Sequence, residues 1–139
     1  MGELKDIKDG IKAAVVAAVS TGTAVKVGIN PEEAAKTWSR YVVIIPEPAT
    51  YNPNELIGSV SQWSGWGWGL FLYAGAAGTD EDAIDVMDAL RAEVDAISGT
   101  RPTSACGFLE KTSDLLIVAY PNGNPLVKQT WRHEVNPTA

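Results

Sequence analysis

Apolar residues recur near the start of the chain at three- and four-residue steps: Leu4, Ile7, Ile11, Ala14, Val15, Ala18 and Val19. That spacing gathers them on one side of a helix. Lys5, Asp6, Lys8, Asp9 and Lys12 take the other side, and Ser20-Thr21-Gly22 ends the pattern. Gly10 falls inside it, where a glycine weakens a helix by about 1 kcal/mol relative to alanine. The period then drops to two. Val25, Val27 and Ile29 alternate with Lys26 and Gly28, which predicts a half-buried strand. Asn30-Pro31 starts a turn or a short helical turn, with Glu32 and Glu33 near its beginning. Tyr41 to Ile45 is a β-rich apolar run, and Pro46 and Pro48 are expected to stop it.

Pro46 to Glu55 holds three prolines and two asparagines. It reads as a long exposed loop of the kind that carries partner contacts. Ser59 to Ala74 follows as an aromatic strand. Trp66, Trp68, Leu70 and Leu72 share one parity, and Gly67, Gly69, Phe71 and Tyr73 the other, so a strand sends the two sets to opposite faces. Thr79 is placed to cap a second helix, with Asp80, Glu81 and Asp82 in its first turn, where the helix dipole favours negative charge. Its expected apolar stripe is Ile84, Met87, Leu90, Val94 and Ile97, and Gly99 stands where a C-terminal glycine belongs. Three strand-like pieces remain: Ala105 to Leu109, Leu115 to Tyr120, and Leu126 to Val135, the last two joined by a turn over Pro121 to Pro125. Strand runs on both sides of a central helix predict an α+β fold, a mainly antiparallel sheet with two helices packed on one face. We expect one domain over residues 1–135 and a loose tail at 136–139.

Composition narrows the classes. The chain has 139 residues, 45% apolar and 20% charged, as ordinary globular domains do. The net charge of -6 leaves no basic footprint for gripping phosphates. The single cysteine, Cys106, allows no intrachain disulfide and no cysteine-based zinc site within one chain, which suits a reducing compartment. The first residues mix both charge signs and do not read as a signal peptide. Gly65 to Ala77 is interrupted by glycines and too short to span a bilayer as a helix.

Reactive chemistry finds little support. His133 is the only histidine. Flanked by Arg132 and Glu134, it is expected at the surface or on a strand edge. Cys106 could pair with it as a nucleophile, but its neighbours lend that no support, and a small buried cysteine is the expectation. Asp80, Glu81, Asp82 and Asp85 satisfy capping and dipole needs before metal binding. No cofactor and no metal are expected. The five tryptophans, Trp38, Trp63, Trp66, Trp68 and Trp131, can be core, protein interface or flat platforms for a ligand. Parity favours core for Trp66 and Trp68, and interface for Trp63.

The whole order of elements resembles the tail terminator (tail completion) proteins of long-tailed bacteriophages. The matching stretches are LKDIKDGIKAAVVAAV and TAVKVGI, then YVVIIPEP and a loop, then WGWGLFLYAG and TDEDAIDVMDALRAEVDAIS, and finally LLIVAYP and LVKQTWRHEV. The resemblance implies a structural virion protein with no catalytic role. It would form a ring of identical subunits, typically a hexamer, that caps the tail tube and offers a docking face to the head–tail connector. DNA would pass through the lumen without specific binding, and an acidic surface suits such a passage. Assembly would take place in the host cytoplasm, away from membranes. A closing ring needs a heterologous interface, one that joins two different patches. Candidate partner contacts are Pro48, Tyr51, Asn52, Asn54 and Trp63, then Asn122 and Asn124 in the turn, Arg132, and the tail after Val135. Two other readings compete: a small soluble glycan-binding type of module using exposed tryptophans, and an enzyme built on Cys106 and His133.

Overall fold

Alternation along the strands divides the protein into two faces of one sheet. The structure is a computed structural model and describes residues 3–47, 64–75 and 80–135. Its elements in order are α1 (Glu3–Ala18), β1 (Ala24–Val27), α2 (Pro31–Ala34), β2 (Arg40–Glu47), β3 (Ser64–Ala74), α3 (Asp80–Val94), β4 (Glu110–Ala119) and β5 (Leu126–Val135). The five strands form one sheet in the order β1-β2-β3-β5-β4. β1 and β2 run parallel, and the other neighbouring pairs are antiparallel. This is the expected α+β class with a mainly antiparallel sheet.

One face meets both long helices. Ile7, Ile11 and Val15 of α1, and Met87, Leu90 and Val94 of α3, close over Val42, Ile44, Trp68, Leu70, Leu72, Val127 and Trp131. Trp68 and Trp131 are cross-strand partners in the register of β3 and β5, and both are buried. The opposite face holds a smaller cluster of Tyr41, Val43, Tyr73 and Leu126, which α2 covers through Ala34. Tyr41 and Tyr73 stack there with ring centroids 5.1 Å apart. The Tyr41 hydroxyl donates to the Pro31 carbonyl and the Tyr73 hydroxyl to the Pro121 carbonyl. Burial pushes the Tyr41 phenol up to about 12.

One glycine of β3, Gly69, is explained by what lies over it. Lys128 and Glu47 pair at 2.6 Å above Gly69, and a Cβ on that glycine would stand 2.5 Å from a Glu47 carboxylate oxygen. Glu93 of α3 ties three elements together. Its carboxylate accepts from the Ser20 backbone at 2.7 Å, from the Ser20 hydroxyl at 2.9 Å and from Arg40 at 2.8 Å. Burial alone would raise its pKa, but these donors outweigh it and hold the carboxyl below its ordinary value.

Several expectations are corrected. Pro46 does not end its strand: β2 runs to Glu47, and Pro46 pairs with Trp68. Ile44 presents its backbone toward β1, accepting from the Gly28 amide, so Pro46, two residues on, faces the same side. β1 has ended by then, so the missing N–H leaves no ladder position empty. Ala105 to Leu109 is not a strand; its backbone pairs with the sheet only through a bridge between Cys106 and Val135, while Cys106 and Leu109 pack into the core. Ile84 and Leu4, placed on apolar stripes, are both exposed, and Ala83 takes the buried position on α3. The short helical turn expected after Asn30-Pro31 is α2, which Asn30 caps by accepting from the Glu32 and Glu33 amides, and Gly99 adopts φ 79° beyond α3 where a C-terminal glycine was expected. The expected loop from Pro48 onward, the strand residues before Ser64, the Thr79 cap and the tail after Val135 lie outside the described residues.

Gly10 is a packing residue. A Cβ there would stand 1.9 Å from the Pro102 carbonyl oxygen, a backbone atom with little room to yield. Helix propensity favours Gly10→Ala by about 1 kcal/mol, but forcing a methyl into this contact costs about 1–3 kcal/mol. We therefore expect Gly10→Ala to lower the denaturant midpoint; a rise would show that the 99–109 segment shifts at no cost.

Candidate functional site

β4 sits at one edge of the sheet and bonds only to β5 among the described residues. Its first half is anchored by charge. Lys111 reaches Asp95 at 2.7 Å and Asp114 at 3.0 Å, and Arg91 of α3 reaches Asp114 at 2.7 Å. Gln129, fully buried, donates to the other Asp114 oxygen at 2.9 Å and accepts from the Trp131 indole at 3.0 Å. A chain of polar contacts thus runs from the core to the edge strand. Burial raises the Asp114 pKa, yet Arg91, Lys111 and Gln129 outweigh it and hold the carboxyl down at about 2.

The second half of β4 has a different character. Leu115, Leu116, Ile117, Val118 and the adjoining Tyr120 are each 43% to 64% exposed. Leu116 is registered opposite Lys128 and Ile117 opposite Val127, so apolar side chains stand on both faces of the edge. Ile84 of α3, also exposed, belongs to the same flank, because Arg91 two turns further along that helix, and Asp95 just beyond its end, bond to β4. Irregularities interrupt the register between Lys111 and Ser113, Ser113 and Leu116, and Ile117 and Ala119. Bulges of this kind twist an edge and limit indiscriminate pairing. A run of large apolar residues on an open sheet edge is still a surface that water covers poorly.

His133 is not at the surface: it is 2% exposed and points into the helix-covered face. The Trp68 indole, which can only donate, gives its N–H to His133 Nε2 at 2.9 Å. Nδ1 therefore carries the proton, and it lies 3.2 Å from the Glu134 carbonyl oxygen. Trp66 and Trp68 stack against the imidazole with centroids 6.3 Å and 6.5 Å away. Burial pushes the His133 pKa below its ordinary value. To act as a base, the imidazole would have to give up the indole that occupies its acceptor nitrogen. Cys106 is buried as expected, and its Sγ stands 3.3 Å from the Thr103 hydroxyl.

The structure separates the other candidate residues. Asn122 is exposed at φ 54° and donates from its amide to the Ala35 carbonyl at 3.3 Å. Asn124 is buried, with its amide 3.3 Å from the Tyr73 hydroxyl and from the Asn122 carbonyl, so it braces the turn instead of presenting a contact. Arg132 is half-buried on the face away from the helices, opposite Glu110, at the end of β5 far from the apolar half of β4. Pro48, Tyr51, Asn52, Asn54 and Trp63 lie outside the described residues. Trp38 is half-buried with the Lys26 ammonium 5.1 Å above its ring, Trp66 is half-buried, and Trp68 and Trp131 are buried. The residues that sequence reasoning did not single out are Leu115 to Val118 themselves. Four consecutive large apolar residues suggest a buried strand, and only the strand order shows that they lie at an edge.

Among the models of known protein families none matches this chain, and no curated protein matches it.

Two acid responses follow. The folded-state pKa of His133 lies below 6.5, so the unfolded chain takes up more protons as pH falls through that value. Stability is full above 6.5 and declines below it, and thermal unfolding should show the decline flattened in His133→Gln. Asp114, held at about 2, contributes above its ordinary value of 3.8 and loses that contribution only as pH falls toward about 2. NMR titration should show its carboxyl ionised well below pH 3.8; a midpoint at the ordinary value would contradict the anchoring of β4.

Proposed function

We propose that this chain is a structural protein that assembles with copies of itself into a ring, and that the ring terminates a bacteriophage tail tube and offers a face to the head–tail connector. The exposed apolar half of β4, Leu115 to Val118 with Tyr120, carries the assembly part of this reading. The order of elements, similar to that of tail terminator proteins, supplies the phage part. On this reading the chain is not an enzyme. The negative net charge suits a lumen through which DNA slides without adhering.

Magnitude shapes the expectation. Fully burying a large apolar side chain contributes about 1.5–3 kcal/mol. Five side chains already half covered would then contribute about 5 kcal/mol on docking. Association itself costs at least about 4 kcal/mol. A single contact of this kind is weak. A closed ring gives every subunit two contacts, so closure is favoured over open chains and is helped by a tube end that gathers the subunits.

The test is the solution mass by light scattering across a concentration series, with negative-stain images of the concentrated sample. The mass should rise with concentration and closed rings should appear, whereas Ile117→Lys should stay monomeric with an unchanged circular dichroism spectrum. A monomer mass throughout, with no rings in the images, contradicts the reading.

A further inference from the structure

The sheet has a second open edge. β1 bonds only to β2 among the described residues and lies at the opposite end of the strand order from β4. We infer that the apolar half of β4 in one copy docks along β1 and α1 of the next copy, continuing the sheet from subunit to subunit. This inference rests on the ring reading and names the surfaces that form its joint.

Charge selects this pairing over the alternatives. The flank made by α3 and β4 sets three carboxylates, Asp88, Asp95 and Asp114, around two cations, Arg91 and Lys111, which leaves it acidic. Pairing two β4 edges with each other would set acidic flank against acidic flank, which opposes association. The flank made by α1 and β1 is balanced instead: Lys5 and Lys8 pair with Asp9, Lys12 is exposed, and Lys26 of β1 lies over the Trp38 ring. The side-chain rows also match. On α1, exposed Lys12 is followed one turn later by Val16, 54% exposed. On α3, Ile84, 56% exposed, is followed one turn later by Asp88. An apolar residue next to a charge of one sign therefore faces an apolar residue next to a charge of the other.

Topology agrees with charge. Pairing like edges is isologous and closes as a dimer, with no surface left for a third copy. Joining β4 to β1 is heterologous: each copy uses one edge and offers the other, which is the arrangement a ring requires. Strand addition also supplies backbone hydrogen bonds for the open groups at both edges. Leu116 and Lys26 both stand on the sheet face away from α1 and α3, so they share a face in a continued sheet.

Two cysteine variants of the full chain test the joint, Leu116→Cys and Lys26→Cys, in the presence of the buried Cys106. After mild oxidation each variant alone should remain uncrosslinked on a non-reducing gel. An equal mixture should give a dimer, and the double variant should give a ladder that stops at the ring size. A dimer from Leu116→Cys alone would overturn the inference in favour of like-edge pairing. Assembled mass by light scattering, with no crosslink from the mixture, would overturn this joint while leaving the ring reading standing. Monomer mass for wild type and variants alike would remove both.

Discussion

Leucine, isoleucine and valine half exposed on an edge strand are a liability in water, and the proposed assembly depends on that constraint. The two long helices cover one face, with α1 over the β1 side and α3 over β3. The apolar half of β4 is left in water. Edge strands are usually kept safe by charge, proline or brevity. Here β4 has ten residues, and its charges are confined to the first half. There they bind α3 and hold the strand in place without shielding its second half. Such an edge is a liability for aggregation and a candidate surface for a specific occupant. The broken register and the acidic flank argue for the specific occupant, because both limit the ways a neighbour can approach.

The interior gives the buried polar residues of β5 a structural task. Gln129 and His133 point into the helix-covered face beside Trp131. Each indole N–H needs an acceptor once buried, and an unmet donor costs about 1–3 kcal/mol. Gln129 accepts from Trp131 and His133 accepts from Trp68. Two tryptophans on adjacent strands thus account for two polar side chains, and Gln129 extends the network outward to Asp114. The edge strand and the core are linked through one carboxylate.

Much of the fold was legible in the chain because periodicity is local. The stripe Ile7, Ile11, Val15, the alternation of β5 and the parity of β3 all fell where spacing put them. Errors arose where a neighbour decided the outcome. Pro46 stays in β2 because β1 ends before reaching it. Gly10 serves Pro102, which lies far along the chain. His133 is buried because Trp68, across the sheet, needs an acceptor. Leu115 to Val118 read as part of a strand, and its place at the edge follows from strand order, which no local pattern encodes. The exposed apolar run was therefore written in the sequence as hydrophobicity but could not be read as exposure.

The most direct measurement is hydrogen–deuterium exchange of the backbone amides from Asp114 to Ala119, compared between dilute and concentrated protein. The account predicts rapid exchange at several of these amides when dilute and selective slowing on concentration, matched by slowing in Ala24–Val27. Equal exchange rates at both concentrations, together with an assembled mass, would place the subunit contact elsewhere and contradict the claim that the β4 edge holds the assembly together.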